Sequence, residues 1–246
     1  MNGILATFQR ELRAYFLSPL AYVVLCFLLI VNGIIFSLIL LALNDPLSPA
    51  GRPLDLFFGG TFLFWLVLLF VAPVLTMRLL AEERRSGSIE VLMTAPVTET
   101  QVVLGKYFAA LVFYVFLWLP TVSYAVIVAM YSEIDWGVVA AGYLGVLLIG
   151  ALFLAVGLFA YAMTRNQIIA AVMAFAILLV LICVAFLEYF VNAQGLKDVI
   201  NYLSLPGHMQ DLAKGIVDTR RLVFYLTTTA FFLFLSSRAL ESGKWR

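Results

Sequence analysis

Six long apolar stretches, roughly 20–43, 56–77, 102–131, 137–163, 167–191 and 221–238, alternate along the chain with polar intervals. Each approaches the ~20 residues that a helix needs to cross a ~30 Å hydrocarbon layer. The last is the shortest and carries Thr227, Thr228 and Thr229; Arg221 and Arg238 at its ends can snorkel to opposite interfaces. Lipid leaves unpaired backbone groups without partners, and these runs are too long and too uniformly apolar for barrel strands, so the pattern predicts helices. Thr98 with Gln101 reads as a capping box entering the third run, and Asp135 as the N-cap of the fourth. Pro73 and Pro120 lie within runs and are expected to kink them. Gly142, Gly145, Gly150 and Gly157, with the Ala151–Ala155 pair, thin the fourth helix for close packing.

Three polar excursions interrupt this plan. Ile4–Leu17 places Ile4, Leu5, Phe8, Leu12, Tyr15 and Phe16 largely on one helical face and Gln9, Arg10 and Arg13 on the other. Residues 1–18 are therefore expected as a helix lying in the membrane interface; a short solvated lead-in is the alternative. The second excursion, 79–101, reads LLAEERRSGSIEVLMTAPVTETQ. Here Glu82, Glu83, Arg84 and Arg85 precede a Ser86-Gly87-Ser88 bend, and Ile89, Leu92 and Met93 then form a small apolar face with Glu90 turned away, up to Ala95-Pro96. A charged face beside a small apolar one suits docking into a groove on a soluble partner, and it equally suits a solvated loop laced with ion pairs. The third, 192–220, holds an amphipathic piece around Tyr202–Val217 that Gly207 is expected to divide, a cap on the outer surface or dipping into it. His208, the one histidine, reads as an interfacial side chain, with no second ligand beside it.

Composition agrees with a lipid solvent. Of 246 residues, 64% are hydrophobic and 12% charged, with mean hydropathy +1.07, against about 45–50% and about 25% in soluble domains. A net charge of +1 gives no footprint for nucleic acid. The first run, about 24 residues long, exceeds the roughly 7–15-residue core of a signal peptide and no A-x-A site follows, so it is expected to be retained. With the N-terminus inside, ten Lys and Arg fall in inner segments and five in outer ones, which places both termini in the cytoplasm. Cys26 and Cys183 sit inside apolar runs, where small buried hydrophobes are the expected role and a disulfide or metal pair the minor alternative. The fold class is thus all-α integral membrane: six transmembrane helices, an N-terminal interfacial helix, a charged inner segment and an external amphipathic segment, in one domain.

Catalytic chemistry finds no foothold in this pattern. One outer histidine and two cysteines within lipid give no nucleophile, base and orienter. Glu82, Glu83 and Glu90 lack the H-E-x-x-H companions of a membrane metalloprotease. Gly105-Lys106 would complete a P-loop only with Gly at position 100 and Ser or Thr at 107; Thr100 and Tyr107 stand there instead. Carboxylates and histidines are almost missing from mid-membrane positions, where Asn32 is the notable polar residue, so a self-powered ion-coupled carrier is disfavoured and an external energy source is expected.

The segment Arg78–Lys106, with its EERRSGSIEVLMTAP core, resembles the signature region of ABC-2 type transporter permeases. The opening Arg10–Val24 and the ending His208–Ser242 resemble the gliding-motility subgroup, and the likeness covers nearly the whole chain. Ser88 stands where Thr is usual, which keeps the hydroxyl. The resemblance implies an export permease of a bacterial cytoplasmic (inner) membrane, without an ATPase site or cofactor of its own. It would pair with a second permease copy and two nucleotide-binding subunits that hold ATP and Mg. An auxiliary membrane protein with a large extracytoplasmic domain is a further implied partner. Glu82–Ala95 takes the role of the coupling helix, with Glu82, Glu83, Arg84, Arg85, Gly87 and Glu90 as its contacts, and Thr164-Arg165-Asn166 that of a second, smaller contact through Arg165 and Asn166. The alternative is a subunit that transmits ATP-driven force to an extracytoplasmic partner without moving a solute.

Overall fold

The computed structural model describes residues 3–44, 52–86, 98–164, 166–189 and 193–243, and these form helices, with no strand among the described residues. In chain order they are α1 (Gly3–Leu17), α2 (Pro19–Leu43), α3 (Pro53–Gly60), α4 (Phe62–Ser86), α5 (Glu99–Trp118), α6 (Val122–Tyr131), α7 (Trp136–Met163), α8 (Gln167–Cys183), α9 (Gln194–Leu203), α10 (Leu205–Ala213) and α11 (Thr219–Gly243). Among the described residues, five helical stretches are long and apolar enough to cross a membrane, or six if the bent pair α3–α4 counts as one crossing. The protein is a multi-pass membrane protein.

Within the run read over 56–77 a bend of 47° separates α3 from α4, near its start and ahead of Pro73. Its cause is local: Gly59 adopts φ 82°, which suits a residue without Cβ. Trp65 Nε1 then donates to the Gly59 carbonyl at 3.2 Å and fixes the corner. Past the corner α4 runs on through Pro73 to Ser86. The third run stays one helical stretch, Glu99–Tyr131, and tightens within it. Pro120 sits in a tight 3-10 turn, Leu119–Thr121, between α5 and α6, because proline supplies no N–H to an α-helical ladder. In the fifth run the α-helix stops at Cys183 and a 3-10 segment, Val184–Tyr189, continues it.

Helix α7 is the axis of the bundle. It packs against α4, α5, α8, α10 and α11, and its most apolar window is 67% buried, against 17% for the run containing α8. Small residues make this possible: Cβ atoms at Gly142, Gly145, Gly150 and Gly157 would strike Phe58, Met209, Tyr114 and Thr76 respectively. These contacts also fix direction. α4 and α7 run the same way, while α5 runs against them, Tyr114 Oη donating to the Val146 carbonyl at 3.1 Å. We call proximal the end where α4 and α7 finish and α5 begins, and distal the end carrying α9 and α10. α2 and α8 lie outermost, with Phe27, Ile30, Ile34, Ile168, Val172 and Val180 all exposed. Cys26 and Cys183, expected to be buried, are exposed on these two helices and unpaired, since in a lipid solvent an outward face is apolar too. Asn32 is fully buried; its Nδ2 donates to the Leu28 carbonyl at 2.9 Å.

Candidate functional site

Of the polar residues singled out in the sequence as coupling contacts, the backbone of Glu82–Arg85 and the side chain of Asn166 are described, at the proximal end. α4 stays helical for nine residues past Met77, which at about 1.5 Å per residue carries the backbone of Glu82, Glu83, Arg84 and Arg85 roughly 8–12 Å beyond it. Gly87, Glu90, the apolar face Ile89–Leu92–Met93 and Arg165 lie outside the described residues. The chain re-enters at Thr98, where the expected capping box is present: Thr98 Oγ1 accepts from the Gln101 N–H, and Gln101 Oε1 from the Thr98 N–H, both at 3.4 Å. Asn166 is the N-cap of α8, its Oδ1 accepting from the Ile168 N–H at 2.9 Å. That bond fixes the start of α8 directly after the turn in which α7 ends. Asp135 caps α7 at the distal end, accepting from the Gly137 N–H at 2.8 Å.

Between these ends lies a feature that sequence reasoning missed. Glu11 on α1 and Lys106 on α5 are both buried, at 4% and 1% exposure, and Glu11 Oε1 meets Lys106 Nζ at 3.3 Å. Glu11 Oε1 also accepts from Arg10 Nη2 at 2.7 Å, Arg10 reaching in from a half-exposed position. The ammonium of Lys106 lies 5.5 Å from the ring centroid of Tyr161 on α7, within range of the attraction between a cation and an aromatic face. Helix α1 comes this close because Gly105 has no side chain: a Cβ there would lie 2.7 Å from Thr7 Cβ and 3.0 Å from the Ile4 carbonyl. Farther along, Tyr15 stacks on Phe113 at 4.9 Å and donates from Oη to the Leu75 carbonyl of α4 at 2.8 Å. The face of α1 expected to meet lipid is covered instead chiefly by α5, with Tyr15 reaching α4, and it is centred on Glu11; Leu5 is exposed. The signal was there, since Glu11 falls among Phe8, Leu12 and Tyr15 at helical spacing.

The distal end is built differently. The break in the external segment is at Ser204, not Gly207; Ser204 Oγ caps α10 by accepting from the Gly207 N–H at 3.2 Å, and Pro206 follows at an early helical position. α10 is a seated cap: Leu205, Met209 and Leu212 are buried, and Met209 fills the gap between Gly59 and Gly145. Arg221 at the start of α11 holds it, donating from Nη1 to the carbonyls of Gly207 and His208 at 3.3 and 3.4 Å and pairing with Asp211. His208, expected at the interface, is 2% exposed, with Phe224 and Tyr225 edge-on to it. Burial, and then the Arg221 charge, lower its pKa to about 4; Asp211, a hydrogen bond to the Tyr202 backbone and Asp218 oppose the shift. A cleft of about 510 Å³ also opens distally between Arg52–Asp55 and Ser132–Asp135, far from the charged end of α4. Among the described residues no group of three or more His, Cys, Asp or Glu is placed to hold a metal ion.

The geometry is therefore that of a packed helical body with a charged helical extension at one end and a seated cap at the other. A comparison with functionally curated proteins finds no match. The family model described as ABC-2 family transporter protein matches residues 56–237, from the α3–α4 corner to the last turns of α11, and the chain belongs to that family.

Proposed function

We propose that this protein is the permease of an ATP-driven exporter, forming the pathway as a dimer and taking its energy from two separate nucleotide-binding subunits. Family membership makes it a transporter membrane subunit, and such subunits generally work with ATP-binding partners. The observation that carries the coupling role is α4: one helix joins the buried bundle to Glu82–Arg85 without a break. A push on those residues would therefore reach the proximal part of the bundle along one continuous helix.

In this reading Glu82, Glu83, Arg84, Arg85 and Glu90 contact the ATPase, Gly87 shapes the bend, and Arg165 and Asn166 form the smaller second contact. The proximal end faces the cytoplasm of a bacterial inner membrane, both termini included, as the distribution of Lys and Arg supports. By likeness to the family, the second copy meets the surface of α2, α4 and α8, and α4 touches both of the others. ATP and Mg stay with the partner subunits, and an auxiliary protein with a large extracytoplasmic domain joins from the distal side, in the manner of the gliding-motility subgroup.

The test is charge reversal. In complexes purified with their ATPase and reconstituted in vesicles, Glu82→Lys with Glu83→Lys is expected to leave the permease folded and to disconnect ATP hydrolysis from its conformational cycle. Unchanged coupling in that variant would overturn the assignment.

A further inference from the structure

We infer that Lys106 is the junction at which both proximal contacts act on a single rigid body, made of α1, the start of α5 and the end of α7, with Glu11 and Lys106 as its positioning residues. The inference rests on the coupling role proposed above and adds the route that force takes.

Three connections converge on this point. Before the charged segment, Leu75 of α4 accepts a hydrogen bond from Tyr15 of α1. After it, Lys106 of α5 pairs with Glu11 of the same α1. Helix α1 therefore ties together the two helices that flank residues 87–97. The third connection is Tyr161, beside the Lys106 ammonium and two residues from the end of α7, where the chain turns toward Asn166. A push on either proximal contact thus arrives at the same buried ammonium.

The chemistry makes this body stiff. Sliding α1 along α5 would draw the Glu11 carboxylate away from the Lys106 ammonium in a site almost wholly shielded from water, where separating opposite charges is costly. The close approach of Thr7 to Gly105 adds a steric lock. Weak points lie just beyond the clamp instead: Pro73, two residues distal of Leu75 in α4, and the 3-10 turn Leu119–Thr121 past the end of α5. Motion is therefore expected as bending at Pro73 and Pro120, with everything proximal to them moving together.

Spin-label distances test this in the complete complex, with Cys26→Ala and Cys183→Ala removing the native thiols and labelled permease diluted into unlabelled. Labels at Arg13 on α1 and Met163 at the end of α7 are both on exposed positions. Their distance is expected to be the same in the ATP-free and the vanadate-trapped states. A pair at Arg13 and Tyr131, which spans the Pro120 turn, is expected to shift. Lys106→Met is expected to make the Arg13–Met163 distance broad and nucleotide-dependent, and the charge swap Glu11→Lys with Lys106→Glu to restore it. A change in the Arg13–Met163 distance in the otherwise unaltered complex, or no shift across the Pro120 turn, would overturn the inference without needing any variant to fold. An assembly that holds no ATPase would sink the coupling reading itself, and this inference with it.

Discussion

The two ends of this molecule each seat a short amphipathic helix against the long ones, and they do it by opposite means. At the proximal end α1 is joined through a buried ion pair, Glu11 with Lys106, backed by Tyr15 and its bond to α4. At the distal end α10 is seated by an apolar wedge, Met209 between two glycines, and its polar clamp, Arg221 with Asp211, is partly open to water. The difference is one of tolerance. A wedge can leave and return, because nothing charged is stranded when it does. A buried pair resists partial separation, so the proximal joint behaves as a fixed hinge-plate and the distal one as a fitted stopper.

That contrast can be broken in stages. Lys106→Ala should have the largest effect: it removes the buried ammonium from Glu11, which keeps only the half-exposed Arg10, a loss of about 3–4 kcal/mol, visible as a lower thermal midpoint of the purified protein in detergent. Met209→Ala should follow, at about 3 kcal/mol for a cavity at a site walled by α3 and α7; faster hydrogen exchange confined to α9 and α10 would mark it as a loosened cap, whereas global loss of protection would erase the distinction between the two ends. Thr98→Ala removes half of an exposed capping box and should cost about 1 kcal/mol, read as fraying at the start of α5 with α1 still protected.

The mildest probe is acid. His208 in the seated cap has its pKa lowered from 6.5 to about 4, so an opened cap binds a proton more readily than a closed one between those values. The closed state is unaffected above about pH 6.5 and loses stability as pH falls from there toward 4. Exchange of α10 amides, corrected for the intrinsic pH effect, should rise over that window and cease to do so in His208→Gln. The proximal joint should show no matching change.

What could be read from the sequence divides along the same line of near and far. The long helices were legible because lipid imposes one rule along each run, and the caps at Thr98 and Asp135 because a cap involves neighbours three residues apart or fewer. The close packing at Gly142, Gly145, Gly150 and Gly157 was legible as a stripe of small residues, though not which side chains would fill it. Glu11 and Lys106 are 95 positions apart; nothing local marks them as partners, and Lys106 stood out as part of a P-loop that fails and as the end of the Arg78–Lys106 segment, not as a buried cation. The corner at Gly59 was hidden in a continuous apolar run, since hydropathy is blind to a left-handed glycine. Ser204 could have been recognised as the true start of α10, because Ser followed closely by Pro is a helix-opening signal. His208 was misplaced for a simpler reason: exposure of an external segment was assumed, and α10 turned inward.

Met209 gives the cap a chemical memory. Its thioether is fully shielded while α10 is seated, so peroxide reaches the sulfur only during excursions out of the seat. The sulfoxide that forms is polar and bulkier than the thioether that fills the close-walled slot between Gly59 and Gly145. Each such oxidation would therefore record one excursion and bar the return, until a reductase erased the mark.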